Sequence, residues 1–216
     1  MTAVCGKAAW KACMMSIEKV LRDLCFRQPH NGQYHTVAID GRGGSGKSTL
    51  AAAMQKHLNG WSIIAGDGYF EPIPDETKSL TSSGFVIWGE FNDERFRQDV
   101  LDRIQHGESL LLRPYSYERH AYEQEQVLAV ERGVVVERCF TFAMPVAWDA
   151  CIWVETSREV CLARAFEREQ LPLEQVRSVW EEWQKEEDAY IADTHPRERA
   201  DCIVDGEGDL SLLFDE

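Results

Sequence analysis

A doubly wound α/β fold, with helices on both faces of a mainly parallel sheet, is the architecture this sequence predicts, and three observations point to it. Short β-branched runs alternate with amphipathic stretches of helix length along most of the chain. The first of those runs leads directly into a glycine-rich turn and then into a helix. The 216 residues suit one domain, at about 150 residues per domain, with room for a lid or insertion. Apolar residues at 44% and charged residues at 28% match soluble globular chains and exclude disordered, collagen-like and disulfide-scaffold classes.

The elements follow in order. From about Lys7 to Arg27, the residues Trp10, Met14, Ile17, Leu21 and Leu24 recur at steps of four and three, which predicts an amphipathic helix packed on the core rather than a membrane element. Pro29, His30, Asn31 and Gly32 end it, and Thr36 to Asp40 is a β-branched run suited to a buried parallel strand. Leu50, Ala53, Met54, His57 and Leu58 keep helical spacing until Asn59-Gly60, and Trp61 to Ala65 is the next strand, so a βαβ unit is expected. Residues 71 to 90 are rich in Pro, Thr, Ser and Gly and are expected to form a functional loop with little regular structure. Asn92 is expected to cap a helix through Ile104.

Further strands are expected at Ser109 to Leu112, Val134 to Val136 with Glu137 at the end, Ala150 to Val154, and Cys202 to Val204. Thr156 and Glu159 have the spacing of a capping box for a helix through about Gln170, and a second helix should run from Leu173 to Ala192. The expected sheet has five strands in a three-layer arrangement, and the acidic tail from residue 209 to 216 is expected to fray.

Charge and cysteine usage narrow the partners. With 23 Lys and Arg against 37 Asp and Glu, the net charge of −14 repels nucleic acid and anionic lipid unless a local basic pocket overrides it. No nucleic-acid or membrane partner is therefore expected, and monomer and homo-oligomer both stay open. The seven cysteines lack zinc spacing and are expected as reduced, mostly buried thiols. No secretory leader pattern and no run of 18 apolar residues occurs, which places the expected compartment in the cytosol.

The sharpest signal is Gly41-Arg42-Gly43-Gly44-Ser45-Gly46-Lys47-Ser48, followed by Thr49, which satisfies GxxxxGK[ST] between a strand and a helix. Glycines let the backbone aim N–H groups at phosphate oxygens, the helix N-terminus adds partial positive charge, Lys47 can reach the terminal phosphates, and the Ser48 hydroxyl can hold Mg²⁺. Such a loop explains how an acidic chain binds a polyanion. ATPases, GTPases, motors and small-molecule kinases share it. The absence of NKxD and of a hydrophobic strand ending in Asp-Glu leaves the small-molecule kinases.

Read together, the motifs resemble the uridine kinase branch of the P-loop nucleoside kinases, a family that includes phosphoribulokinase and the type I pantothenate kinases. The likeness spans roughly residues 34 to 206: VAIDGRGGSGKSTLA, GDGYF at 66 to 70 for the family's DDFY, RPYSYERH for PxYDxxxH, VVVER at 134 to 138, CLARAFERE for LxRRxxRD, and ERADCIVDG. With EEDAYIADTHPRERAD it extends to short bacterial uridine kinase-like proteins. The resemblance implies a P-loop kinase domain at 33 to 208, a lid at about 157 to 195, and the helix within residues 1 to 32 as an addition.

It also implies roles. Asp67, at the carboxyl end of a strand, would be the general base on an acceptor hydroxyl, and Glu137 would position Mg²⁺ through water, although Arg138 replaces the family's glycine. Arg164 and Arg168, four apart on one helix face, would bring lid charge to the transferring phosphoryl. Ala165 stands where the family often has a second arginine, so that charge is reduced or comes from Arg158 or Arg177. Tyr69, Phe70, Trp88, Tyr115 and Tyr117 offer flat faces for the acceptor, and Arg119 and His120 offer hydrogen bonds. His57, Trp180 and Trp183 are expected to be structural. The expected reaction is transfer of the γ-phosphoryl of ATP, with Mg²⁺, to the 5′-hydroxyl of uridine or cytidine. Another acceptor (a sugar, pantothenate or a nucleoside monophosphate) and a nucleotide-binding regulatory protein are the alternatives.

Overall fold

The computed structural model describes residues 16–71, 90–91, 93–116, 119, 121–169, 173–210 and 213–214. The chain begins there with α1 (Ile17–Leu24), capped by Ser16, whose hydroxyl accepts the Lys19 amide at 3.3 Å. Ser16 has extended backbone, so α1 starts after it, and residues 1–15, which the expected helix from Lys7 to Arg27 would include in part, lie outside the described residues. A side-chain oxygen at that position satisfies an amide the helix itself leaves open. Next come β1 (His35–Gly41), α2 (Lys47–His57) and β2 (Trp61–Ala65). Two short strands, β3 (Phe70–Glu71) and β4 (Glu90–Phe91), pair antiparallel, and residues 72–89, expected as a loop, lie outside the described residues.

The helix expected through Ile104 reaches His106: α3 (Asp93–Phe96) passes through a π turn (Arg97–Leu101) into α4 (Asp102–His106) and stops where Gly107 turns left-handed. β5 (Leu110–Leu112), β6 (Tyr115–Ser116), β7 (Ala121–Tyr122) and β8 (Gln126–Leu128) form two local antiparallel pairs, β5 with β8 and β6 with β7. The strand expected near Ser109 to Leu112 therefore does not join the main sheet. A nearby antiparallel partner needs no crossover connection.

The chain continues with β9 (Gly133–Glu137), β10 (Ala150–Glu155), α5 (Arg158–Glu169), α6 (Leu173–Thr194), α7 (Pro196–Arg199) and β11 (Cys202–Asp205). The main sheet has five strands in the order β11-β10-β1-β9-β2, and every pairing is parallel. β1 and β2, expected as one βαβ unit, flank β9 rather than each other.

Alternation along the strands sends side chains to opposite faces. Val37, Ile39, Val135, Ile152 and Val154 pack with α1 and α2, whereas Ala38, Val134, Val136 and Trp153 pack with Phe96, Val100, Leu101 and Ile104. A sheet buried on both faces can be β-branched throughout, which is why these runs are legible without polar alternation. Leu210 is buried in the first of these clusters, and Phe214 packs on it and stacks on His57 with ring centroids 5.2 Å apart. The tail expected to fray is docked at both positions, because Leu210 lies against Gly46 at the start of α2 and Phe214 against His57 at its end.

Leu24 is 1% exposed in the same cluster. Leu24→Ala is expected to lower unfolding free energy by about 3 kcal/mol, measured by urea denaturation, because the cavity cannot close against a sheet. Among the described residues no helix is long and apolar enough to cross a membrane. Cys25, Cys139, Cys151, Cys161 and Cys202 are free thiols, with Cys25 exposed and only Cys161 and Cys202 fully buried; Cys5 and Cys13 lie outside the described residues.

Candidate active site

Parallel pairing carries the carboxyl ends of all five strands to one edge, where loops form a crevice. β1 runs there into the Gly41–Ser48 turn. Gly44 has φ +78, and a Cβ on it would stand 2.8 Å from the Cys161 carbonyl oxygen. Gly46 has φ +103 and lies against Leu210. Both positions need glycine for the chain to reverse tightly ahead of α2.

The turn opens on a cavity of about 830 Å³ lined by Gly43, Gly44, Gly46, Lys47, Ser48 and Thr49. Gly41 and Ser45 do not line it. The Gly41 carbonyl accepts from Lys47, the Ser45 amide donates to Arg42, and the Ser45 carbonyl accepts from Thr156 Oγ1 at 2.9 Å, so both shape the turn from behind. Thr156 is not the helix cap expected for it: α5 begins at Arg158, and its first bond runs from Cys161 N–H to the Ser157 carbonyl, which puts Ser157 at the cap position. The Thr156 hydroxyl ties the turn to the end of β10.

Lys47 is buried, and its Nζ donates to the carbonyls of Gly41 (3.0 Å) and Arg42 (2.8 Å) and to Cys139 Sγ (3.3 Å). Burial alone would lower its pKa, but Cys139, Glu137 and Asp40 hold it above the ordinary lysine range. Asp40 sits at the base of the site, fully buried. It accepts the amides of Gly41, Phe140 and Phe142 and the Tyr190 hydroxyl, the last at 2.5 Å, and burial still raises its pKa. These bonds fix the turn after β9, where Phe140 takes φ 64.

Glu137 ends β9 beside the turn, as the strand pairing dictates, and accepts the Ser48 hydroxyl at 3.1 Å. Burial, reinforced by Asp67, pushes its pKa up to about 7 against the pull of Lys47. A free glutamate ionises near 4.5, so the fold loses stability as pH rises from 4.5 to about 7. Glu137→Gln is expected to leave the unfolding temperature unchanged near pH 4 and to raise it by several degrees near pH 8. Equal shifts at both pH values would refute a buried, neutralised Glu137.

Asp67 stands in the short 3-10 turn Gly66–Tyr69 directly after β2, exposed, on the cavity wall that also holds Glu137. Three of the expected acceptor contacts go elsewhere. The buried Tyr69 ring packs edge-on against Phe96 at 4.9 Å, and its hydroxyl donates to the Leu111 carbonyl. Tyr115 packs against Tyr122. Arg119 is exposed and pairs with Glu123. None of these three lines the cavity. Trp88, Tyr117 and His120, and the side chain of Phe70, lie outside the described residues.

Arg164 and Arg168, expected in a lid, both line the cavity but differ in use. Arg164 donates to the carbonyls of Gly44 (3.2 Å), Ser45 (3.3 Å) and Gly206 (2.8 Å), so it braces the turn rather than standing ready to swing. Arg168 lies over Trp180, 5.5 Å from the ring centroid. Arg158 donates to Gln184 and Asp188, and Arg177 lies over Phe166; neither lines the cavity.

Residue spacing alone missed the contribution of α6. Trp180 and Trp183, expected to be structural, line the cavity with Glu186 and Glu187. Trp180, Trp183 and Glu187 recur at steps of three and four, one helix face, which is the signal that could have revealed them. Glu187 accepts the Gly43 amide at 2.6 Å, and Arg42 donates to Glu187 (3.5 Å) and Asp188 (2.5 Å). Burial raises the Glu187 pKa against these contacts. Arg138, Cys139 and Phe140 complete the wall after β9.

The residues present fit a nucleoside triphosphate and Mg²⁺: a turn that a Cβ would distort, a buried cationic lysine, and the hard oxygens of Ser48 and Glu137 side by side. Among the described residues no cluster of three His, Cys, Asp or Glu could hold a metal alone. Mg²⁺ in such sites takes few protein ligands and shares the phosphates.

No family model matches the chain, and no curated protein matches it. Its fold does match solved structures. One is a possible uridine kinase from Bacillus stearothermophilus, 17% identical over 86% of this chain and 95% of that one, with a TM-score of 0.58. Another, from Silicibacter sp. TM1040, bears the name of a fructose transport system kinase and is 17% identical over 86% of this chain and 96% of that one, with a TM-score of 0.53. The chain thus shares its three-layer α/β fold with these two structures.

Proposed function

We propose that the chain is an ATP- and Mg²⁺-dependent phosphotransferase acting on a small-molecule hydroxyl, with the 5′-hydroxyl of uridine or cytidine as the acceptor. The observation that carries it is the meeting of Lys47, Ser48, Glu137 and the exposed Asp67 on one cavity at the carboxyl edge of the sheet. Phosphoryl transfer needs chiefly positioning and charge neutralisation, which this set supplies. The turn amides and Lys47 would hold the phosphates. Ser48 and Glu137 would hold Mg²⁺, which when bound neutralises phosphate charge. Asp67 would orient the acceptor hydroxyl and take its proton on a carboxylate oxygen. Trp180, Trp183 and Phe140 give the cavity flat apolar faces, which suit a planar base.

The test is ADP release from MgATP with uridine, cytidine, UMP, ribose, fructose and pantothenate in turn. Strong stimulation by the two nucleosides is expected. Stimulation by a sugar alone would replace the acceptor, and no stimulation by any of them would sink the kinase reading in favour of a nucleotide-binding regulator.

A further inference from the structure

Phosphate-binding turns present backbone N–H groups to an anion, and here one of those groups already has one. Gly43 N–H donates to Glu187 Oε1 at 2.6 Å, and both residues line the same cavity. The same oxygen lies 3.9 Å from Cys139 Sγ, which in turn takes Lys47 Nζ at 3.3 Å. The carboxylate is therefore on the phosphate side of the turn, next to its lysine, and not braced against it from behind.

We propose that Glu187 is a resident anion of the phosphate cradle, which a triphosphate must displace, so that nucleotide binding and release of α6 from the turn are a single event. This rests on the turn being a nucleotide site. Three contacts make the latch. Glu187 covers the amide, Arg42 pairs with Glu187 and Asp188, and the Trp180 ring closes on Gly43, where a Cβ would stand 2.8 Å from Trp180 Cζ3. Glu187 is 6% exposed, so the carboxylate cannot step aside by a simple rotation into solvent while α6 stays in place. Two anions cannot share one amide beside one lysine without strong repulsion. The incoming phosphate and the departing carboxylate thus exchange, and α6 carries Trp180 and Trp183 with it.

The competing role, a brace that keeps the turn in binding shape, predicts the opposite sign. Calorimetric titration with MgATP, and separately with inorganic tripolyphosphate, distinguishes them. Glu187→Ala is expected to bind both ligands about tenfold more tightly, as for removal of one charge-assisted hydrogen bond. Glu187→Gln keeps an acceptor oxygen without the charge and should show a smaller gain in the same direction, which carries the test if the alanine variant does not fold. Glu182→Gln removes an α6 carboxylate that pairs with Lys185 and does not line the cavity, and should change affinity less than about twofold. Unchanged or weaker binding by a folded Glu187 variant overturns the latch while the nucleotide site stands. Failure of wild type and every variant to bind either ligand overturns the nucleotide site itself, and the latch with it.

Discussion

Asp67→Asn is expected to lower phosphoryl transfer about a hundred- to ten-thousandfold while leaving MgATP affinity within about twofold. Asp67 lines the cavity but makes no part of the turn that would hold the nucleotide, so its amide variant changes proton uptake without disturbing the cradle. The side chain is exposed on a short turn after β2, and losing its charge costs the fold little. Single-turnover kinetics with MgATP and uridine, beside a calorimetric affinity, separate the two quantities. If transfer survives at the wild-type rate, Asp67 is not the base.

Lys47→Ala is expected to fail on both counts, with transfer down about a hundred- to thousandfold and MgATP bound at least about tenfold more weakly. Its ammonium is held above the ordinary lysine range and is the one buried cation in the turn itself, so nothing else there neutralises phosphate charge. Nζ also bonds the carbonyls of Gly41 and Arg42, and the variant leaves both without that donor. A fall in unfolding temperature should accompany the loss. Wild-type transfer by the variant would mean that phosphates bind elsewhere.

The parts of this site that could be read from the sequence are those encoded locally. The strand from Thr36, the glycine turn and α2 are contiguous, and each obeys a short-range rule. Asp67 and Glu137 were legible because a carboxylate ending a parallel strand must arrive at the crevice edge whatever the strand order. What escaped depends on packing between distant segments. Tyr69 offered the same ring as any ligand-stacking tyrosine, and only the arrival of Phe96 and Leu111 made it core. Thr156 obeyed the spacing of a capping box, but the helix starts one residue later than that spacing implies, at Arg158, and the Thr156 hydroxyl donates to the Ser45 carbonyl across the fold. Trp180, Trp183 and Glu187 lay in a run of glutamates whose plainest account was a solvated face, and the turn that Trp180 and Glu187 touch lies far away in sequence. Strand order was equally hidden, since no local pattern says that β9 slips between β1 and β2.

That order bears on how the chain is made. The central strand, residues 35–41, pairs in the sheet with residues 133–137 and 150–155, both synthesised long after it. At roughly 5 to 20 residues per second, the ribosome leaves a sticky, β-branched segment unaccompanied for several seconds at least. The glycine turn inherits this delay, because its anchor is that strand. Newborn chains therefore carry their most recognisable motif in an unformed state until the molecule is more than half complete, a window in which a chaperone or a neighbouring nascent chain can reach it first.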